Sequence, residues 1–338
     1  MKMKPIQPIF DVILPVAPKD AANLELCIQK IRENIQPDKI VVIAGKSVKD
    51  LVPSTEQVEF CDEDQLKEHL SLEYVKQIMS DITGSEARSN WYFQQFLKMA
   101  YAYQCSHNYY LVWDSDTIPL NPIRFWQDHN GKEQCLFSMH HQIHWPYFET
   151  IETLFNGKVK RLSEKSFIVE HMMISRKIML ELIHGIETND QLQGTYFFEK
   201  ILHAIRIDAI KYAGFSEFET YGNYVLNFYP EAYTFRNLRA YRQGAMVLDY
   251  SQINTEVFNW IAKDYDTISF EEHGYNRFFG FLRKKGAFIV RRRILSFKSY
   301  QYLFSVFENL ALLRHSQAKN SKKIVLFFKC FSGKAIEM

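Results

Sequence analysis

Short continuous apolar runs alternate with longer amphipathic segments in the first part of the chain. Ile9–Val16 and Lys39–Gly45 are apolar, rich in β-branched residues and bounded by Pro or Gly, which predicts two buried strands. The segment between them has apolar residues at helical spacing, so we predict a helix from Asp20, as its cap, to about Asn34. Strand, helix and strand at this spacing are typical of a parallel sheet covered by helices.

The same alternation continues further along the chain, with less regular spacing. A third strand is predicted at Val58–Cys61, and a helix over Trp91–Cys105 leads to another apolar strand at Tyr109–Trp113. The later predicted elements are strands at Cys135–Met139, Phe167–Val169 and Ala245–Leu248 and helices at Lys177–Ile186 and Leu192–Ile205. We therefore predict an α/β fold whose mixed, mainly parallel sheet is flanked by helices, in the manner of a Rossmann-like domain.

Composition excludes several classes of protein. With 47% hydrophobic and 24% charged residues among 338, the chain can form a full core and is not globally disordered. Its five cysteines form no C-x-x-C pair, so neither a disulfide framework nor a structural zinc site is supported. No secretory signal and no apolar run of about 20 residues is present, so we expect a cytoplasmic protein, at most peripheral to the inner face of the membrane.

Charge divides the chain into two predicted parts. Residues 283–338 hold 13 Lys and Arg and only two acids, which gives this segment a net charge of +11. Because the whole chain has a net charge of +2, residues 1–282 have a net charge of −9. We predict a catalytic body at 1–282, with a donor half at about 1–120 and an acceptor half at about 121–282, and a basic aromatic appendage at 283–338. Within the appendage, 294–313 is a predicted amphipathic helix that contacts anionic lipid or docks on the body, with nucleic-acid binding a weaker alternative.

Two carboxylates follow the predicted strand Tyr109–Trp113 directly. Asp114 and Asp116 are spaced i, i+2 at the carboxyl end of that strand, where open parallel sheets bind their ligands. Neighbouring carboxylates repel each other, and a divalent cation such as Mg²⁺ or Mn²⁺ would stabilise them. The alternative is a simple Asx turn, because Asp-Ser-Asp-Thr also suits a turn.

Three segments of the chain together resemble a known class of enzymes. They are Arg88-Ser-Asn-Trp-Tyr-Phe-Gln-Gln-Phe-Leu-Lys-Met, Asp114-Ser-Asp116 and Phe215-Ser-Glu-Phe-Glu-Thr-Tyr-Gly222. The second resembles the Asp-x-Asp motif of GT-A-type glycosyltransferases, which use nucleotide-sugar donors. The set, in this order over about residues 9–250, is similar to a bacterial family of glycosyltransferase-like proteins encoded with surface-polysaccharide genes.

The resemblance implies a metal ion that bridges the aspartates and the donor diphosphate. Asp116 would ligate Mn²⁺ or Mg²⁺ directly, and Asp114 would bind the metal, through water or directly, or the donor ribose. A third ligand is expected from a later histidine or acid, with His171, beside Glu170, as the choice and His273 as the alternative.

The resemblance also implies a donor pocket on the first strand and the helix before Asp114. Val16 ends the first strand, and Arg88, Gln95 and Lys98 fall on one face of the predicted helix, where they could meet the nucleotide base and phosphates. Without the resemblance, the same stripe describes an amphipathic helix with solvated polar groups.

The segment Ser216-Glu217-Phe-Glu219 has both a structural and a catalytic interpretation. Ser-x-x-Glu is a capping box, in which Glu219 folds back onto the start of a helix. Glu217 would then face outward in the first turn and could take a proton from the acceptor hydroxyl in an inverting reaction. Both glutamates are candidate catalytic residues; in a retaining reaction neither needs to be a base.

These features imply a metal-dependent glycosyltransferase that moves a sugar from a UDP-sugar to a glycan or lipid-linked acceptor in surface-polysaccharide or lipopolysaccharide synthesis. A sugar-phosphate nucleotidyltransferase is the alternative enzyme, although the chain lacks a Gly-rich loop after the first strand. A non-catalytic saccharide- or membrane-binding protein is the other alternative. No P-loop, G-x-G-x-x-G or G-x-S-x-G motif is present, and His140, His141 and His144 are read as acceptor-site or surface residues.

Overall fold

The computed structural model describes residues 8–129, 132–248, 253–271 and 295–306. Its strands are β1 (Phe10–Pro15), β2 (Ile40–Ala44), β3 (Val58–Asp62), β4 (Tyr109–Trp113), β5 (Thr117–Pro119), β6 (Trp126–His129), β7 (Lys132–Phe137), β8 (His171–Ser175), β9 (Tyr233–Phe235), β10 (Ala240–Tyr241) and β11 (Thr267–Ser269). The four strands β1 to β4 match the predicted runs to within one residue at each end. Those predictions are confirmed; for β1, β2 and β4 the reason is that a strand buried on both faces has a continuous apolar sequence.

Helices connect these strands and pack on them. They are α1 (Leu24–Asn34), α2 (Leu72–Thr83), α3 (Ser89–Ala100), α4 (Trp145–Leu154), α5 (Arg176–Glu187), α6 (Phe197–Ala204), α7 (Ile207–Ile210), α8 (Glu217–Phe228), α9 (Gly244–Val247) and α10 (Thr255–Ala262), with residues 297–306 also helical. The predicted cap Asp20 lies instead in a 3₁₀ turn, Pro18–Asn23, and α1 starts after it.

The central sheet has the strand order β3-β2-β1-β4-β8. Its first four strands are parallel, with Ile13 of β1 beside both Val41 of β2 and Val112 of β4, whereas β8 runs antiparallel to β4. Strands β1, β2 and β4 are almost entirely buried, and α3 and α5 pack against the sheet. The predicted α/β fold with a mixed, mainly parallel sheet is therefore confirmed.

Two predicted strands are wrong. Ala245–Leu248 forms the helical turn α9, because Gly244 lets the chain pass so close to β11 that a Cβ atom would lie 2.7 Å from the Ser269 carbonyl oxygen. Phe167–Val169 forms a turn, with the Val169 N–H donating to the Phe167 carbonyl at 2.9 Å, and the strand begins only at β8. Short apolar runs do not distinguish a strand from another buried segment.

The chain divides into two structural units. The first comprises residues up to 116 and 123–237, and the second comprises 117–122 and the described residues from 238 onwards. The central sheet and the small sheet β6-β7-β9 belong to the first unit, and the sheet β10-β11-β5 belongs to the second. The predicted boundary between residues 282 and 283 lies outside the described residues.

The described part of the basic appendage packs on the second unit. Phe297, Tyr300 and Phe304 are buried, and the Tyr300 hydroxyl donates to the Val247 carbonyl at 2.8 Å. Leu303 in the same segment is 37% exposed. Residues 295–306 thus follow the docked alternative, while membrane contact by the appendage stays a prediction. No helix in the described ranges is long and apolar enough to cross a bilayer.

Candidate active site

The carboxyl ends of β1 and β4 bring together residues that are far apart in the sequence. The chain winds outward from β1 to β2 and β3 on one side and returns to β4 on the other, so the strand order reverses between β1 and β4. Ligands of open α/β sheets bind at such a point of reversal. Val16 follows β1 and Asp114 and Asp116 follow β4, which places all three at this edge of the sheet.

Lys98 of α3 is the centre of a buried ionic cluster at this edge. Its Nζ donates to Asp114 Oδ1 at 2.7 Å and to Glu217 Oε1 at 2.8 Å, and it lies 4.7 Å from the Phe218 ring centre. Burial disfavours the charged form of Lys98, which is only 6% exposed, but the charges of Asp114 and Glu217 outweigh burial and raise the pKa of the lysine. The predicted residues Lys98, Asp114 and Glu217 therefore form one contiguous site.

Gln95 holds Glu217 in this cluster from one turn earlier on α3. Its Oε1 accepts the backbone N–H of Glu217 at 3.1 Å, and its Nε2 donates to the Trp91 carbonyl at 3.3 Å. Gln95 is buried, and both ends of its amide are occupied by protein groups. Its visible role is to fix the start of α8, where Glu217 stands at the first helical position.

Glu217 does not face outward as expected. It is 6% exposed, because the Lys98 ammonium provides a buried cation for its carboxylate. The Ser216 hydroxyl accepts the Glu219 N–H at 3.2 Å, which confirms the predicted cap of α8.

Glu219 anchors the segment before β8. Its Oε2 accepts the Phe167 backbone N–H at 2.8 Å and its Oε1 accepts the Asn223 side-chain N–H at 2.9 Å. Burial raises the pKa of Glu219 to about 7, although these two hydrogen bonds and the charge of Arg161 act in the opposite direction. The Glu219 carboxyl thus binds to a loop rather than folding back onto its own helix start.

Replacing Glu219 with glutamine is expected to flatten the dependence of stability on pH. The pKa of about 7 in the folded protein lies above the usual 4.5, so this carboxyl favours folding most below pH 4.5 and loses that contribution as pH rises through 7. Between pH 4.5 and 8 the wild-type unfolding free energy should fall by roughly 3 kcal/mol more than that of E219Q. Urea unfolding across this range measures the difference.

The control for this experiment is Glu152→Gln, which removes an exposed carboxylate of α4. We expect E152Q to keep the wild-type pH profile. Parallel profiles for E219Q and the wild type would contradict the raised pKa of Glu219.

Asp116 and Asp114 lie near the same buried thiol. Burial and then the charges of Asp116 and Asp114 raise the pKa of Cys27 in α1. Both aspartates are half-buried, and the Asp114 side chain keeps 29% of its surface. Two carboxylates therefore lie at the edge of the sheet with part of their surface accessible. Carboxylate oxygens are ligands that Mn²⁺ and Mg²⁺ prefer.

His171 is not brought together with the two aspartates. It is buried in β8, stacks on Trp113 with ring centres 4.6 Å apart, and its Nε2 lies 2.6 Å from the Arg236 guanidinium. Burial and then Arg236 lower the pKa of His171 well below 6.5. Among the described residues, ligand atoms of Asp114, Asp116 and His171 do not all lie within 4.8 Å of one another. The alternative ligand, His273, lies outside the described residues.

Arg88 lies at the entrance to α3 rather than on its face. It occupies the N-cap position with φ 74°, is exposed, and donates from Nε to the Tyr212 carbonyl at 2.6 Å. Its guanidinium covers the Trp91 ring at 4.4 Å. Of the three residues expected on one face of the helix, Gln95 and Lys98 therefore lie within α3, whereas Arg88 lies at its N-cap.

Sequence reasoning missed two residues near the glutamates. The charges of Glu217, Arg88 and Glu219 all act on Tyr147 of α4, whose pKa is raised mainly by burial. Arg161 acts electrostatically on Glu219 and covers the exposed Trp145 ring at 5.3 Å. No motif or spacing identifies either residue, because both reach the site through the tertiary fold.

The three histidines of H-H-x-x-H do not gather into a metal site. His140 Nδ1 accepts the Gln142 N–H at 3.1 Å, and the His144 ring contacts the Ala213 carbonyl at 2.6 Å. The first of these polar contacts is local, whereas the second joins the N-cap residue of α4 to a residue 69 positions away in the sequence.

Residues 10–298 match the sequence model of a protein family. The chain belongs to the family of unknown function DUF6492. A comparison of this DUF6492 chain with curated proteins finds no match.

Several solved structures are distantly similar to this DUF6492 chain. The bifunctional glycosyltransferase WbbM, in its apo form, is 14% identical over 80% of the chain, with a TM-score of 0.43. The galactosyltransferase LgtC is 8% identical over 82% of the chain, with a TM-score of 0.37, and mouse xyloside xylosyltransferase 1 is 12% identical over 77%, with a TM-score of 0.39. The chain spans 47% of the WbbM chain and 96% of each of the other two.

Proposed function

We propose that this chain is a metal-dependent glycosyltransferase. It would move a sugar from a nucleoside-diphosphate sugar, a UDP-sugar in the first instance, to a hydroxyl of a glycan or glycolipid. The observation that carries this proposal is the position of Asp114 and Asp116 at the reversal of strand order, with the buried Lys98 ammonium paired with both Asp114 and Glu217. The resemblance of Asp114-Ser-Asp116 to the GT-A motif supports the same conclusion, as does the similarity of three segments, in order, to a bacterial glycosyltransferase-like family.

Asp114 and Asp116 would hold Mn²⁺ or Mg²⁺ together with the donor diphosphate. Their oxygen ligands suit these cations, and both carboxylates are partly accessible at the sheet edge. The bound cation would neutralise the negative charge that develops on the leaving nucleoside diphosphate. We assign no third protein ligand, because His171 contacts Trp113 and Arg236 instead.

Lys98 and Gln95 would position the reacting groups. Lys98 donates hydrogen bonds to both Asp114 and Glu217 and so fixes the orientation of both carboxylates. The third N–H of its ammonium group could donate to an oxygen of the nucleotide sugar. Gln95 holds the first turn of α8, so the Glu217 carboxylate keeps one position. In an inverting reaction Glu217 would accept the proton of the attacking hydroxyl.

The remaining predicted residues would line the donor and acceptor sides. Val16 follows β1, which pairs with β4, and would contact the nucleotide, while Arg88 would provide a cation for a phosphate at the exposed start of α3. The raised pKa of Glu219 and its hydrogen bonds to Phe167 and Asn223 suit a positioning role.

The acceptor would be a glycan or lipid-linked saccharide of surface-polysaccharide or lipopolysaccharide synthesis. The reaction would take place in the cytoplasm, at the inner face of the membrane where such a lipid is accessible. The net charge of +11 in residues 283–338 supports contact with anionic lipid.

Replacing Asp116 with asparagine should abolish metal-dependent turnover without unfolding the protein. The purified full chain is incubated with a panel of nucleotide sugars, with Mn²⁺ or with a chelator, and release of nucleoside diphosphate is measured. We expect turnover that requires the metal and a loss of at least about 100-fold in D116N, because the variant lacks a carboxylate ligand of the cation that would stabilise the leaving group. Circular dichroism and the melting temperature verify folding.

The matched control is Asp50→Asn, which removes an exposed carboxylate outside the site. D50N should retain full turnover. Equal turnover in D116N and the wild type would refute the mechanism. Release of pyrophosphate in a separate incubation with a nucleoside triphosphate and a sugar 1-phosphate would identify a nucleotidyltransferase instead. Saturable binding of a saccharide without turnover of any nucleotide sugar would identify a binding protein.

A further inference from the structure

A second group of metal-ligating side chains lies at the opposite, amino edge of the central sheet. Asp11 is the second residue of β1, Asp38 precedes β2 by two residues, and His107 precedes β4 by two residues. One ligand atom from each lies within 4.8 Å of the others. Because parallel strands begin at the same edge, the fold brings these residues together although the sequence separates them widely.

The distances between these ligand atoms fit a tetrahedral metal site. His107 Nε2 lies 3.0 Å from Asp38 Oδ2 and 3.4 Å from Asp11 Oδ1. Zinc bonds of 2.0–2.2 Å at tetrahedral angles separate neighbouring ligand atoms by about 3.4 Å. Small side-chain adjustments would therefore place all three atoms around one cation, with a fourth position open to water.

Hydrogen bonding alone leaves one carboxylate oxygen of the cluster unsatisfied. A single N–H at His107 Nε2 can serve the Asp38 oxygen at 3.0 Å. Asp11 is 1% exposed and its Oδ1, which faces the same nitrogen, has no hydrogen-bond partner. Buried polar atoms without partners are rare in native proteins, and a cation at this point would satisfy Asp11 Oδ1.

The charges around Asp11 also favour a bound cation. The Tyr101 hydroxyl donates to Asp11 Oδ2 at 2.9 Å but carries no charge, and Lys39 Nζ is paired with Glu59 at 3.2 Å. Two carboxylates and a neutral imidazole would balance the charge of a divalent ion.

We propose that Asp11, Asp38 and His107 bind a divalent transition-metal cation, Zn²⁺ in the first instance, as a structural site. Two carboxylate oxygens and one imidazole nitrogen suit zinc better than magnesium, which prefers oxygen alone. The ion would connect the starts of β1, β2 and β4 and so stabilise the edge opposite the proposed donor site. This inference does not depend on the proposed function.

The test uses the full chain in the D116N background, so that metal binding at the carboxyl edge is weakened. After removal of metals with a chelator, calorimetric titration with ZnCl₂ measures stoichiometry and affinity, and melting temperatures are recorded with and without zinc. We expect one bound Zn²⁺ and a higher melting temperature, with far weaker binding of Mg²⁺. Adding Asp38→Asn or His107→Gln should each weaken zinc binding at least about 100-fold.

Two control variants remove a carboxylate and an imidazole outside the proposed zinc site. Glu25→Gln on α1 and His184→Gln on α5 replace exposed residues and should leave zinc affinity unchanged. The proposal is overturned if the D116N chain binds no zinc, or if H107Q binds it as tightly as H184Q does. Because Asp38 is exposed, D38N keeps the test decisive even if H107Q folds poorly.

Discussion

Replacing Lys98 with methionine is expected to lower the unfolding free energy by about 3–5 kcal/mol. Methionine fills a similar volume but leaves the Asp114 and Glu217 carboxylates at a buried position without their shared cation. Removal of one partner from a buried ion pair is costly because the remaining charge has lost its hydration and gained nothing in return. Chemical unfolding of the purified variant measures the loss.

Two further variants separate this effect from a general loss of packing. Lys177→Met changes a lysine whose side chain is 79% exposed and should alter stability by less than about 0.5 kcal/mol. The triple variant K98M/D114N/E217Q removes all three charges and should recover most of the stability lost in K98M. If K98M costs no more than K177M, the Asp114 and Glu217 carboxylates do not depend on the Lys98 cation for their stability in the folded protein.

Replacing Phe167 with alanine should also cost about 3–5 kcal/mol of unfolding free energy. The ring is fully buried, contacts Phe137 with ring centres 5.0 Å apart, and packs directly on the backbone of α8 at Gly222. Loss of the ring leaves a cavity beside α8, whose first turn carries Glu217 and Glu219. Tyr212→Ala, which removes a largely exposed ring, is the control and should cost less than about 0.5 kcal/mol.

Gly222 provides an independent test of the same contact. A Cβ atom there would lie 2.3–2.5 Å from three atoms of the Phe167 ring, so Gly222→Ala alone should cost about 1–3 kcal/mol. In the F167A background the methyl group would occupy the space left by the ring. The loss of unfolding free energy in the double variant should therefore be at least about 1 kcal/mol smaller than the sum of the losses in the two single variants. If the two losses simply add, the ring does not pack on Gly222 in this way.

The sequence predicted the parts of the site that depend on neighbouring residues. β4 and the two aspartates after it are recognisable because a buried apolar strand followed by carboxylates is a local pattern. The cap of α8 by Ser216 is equally local. The outward direction of Glu217 was wrong because its partner, Lys98, is 119 residues away in the sequence.

Contacts from distant segments also decided the position of His171. The sequence places a histidine beside Glu170, but only the antiparallel pairing of β8 with β4 sets it against Trp113. Arg236, which contacts His171, follows β9. An isolated histidine carries no information about such neighbours, so its burial and low pKa could not be predicted.

By itself, the sequence determined the parallel strands, the order of the elements around them and the carboxylates that follow β4, because continuous apolar runs and turn residues act over a few positions. Only the tertiary structure decided which charges meet. It joined Lys98 to Asp114 and Glu217, separated His171 from the aspartates and gathered Asp11, Asp38 and His107 at the amino edge. Electrostatic and packing interactions act through space, and residues far apart in the chain become neighbours only when the sheet has formed.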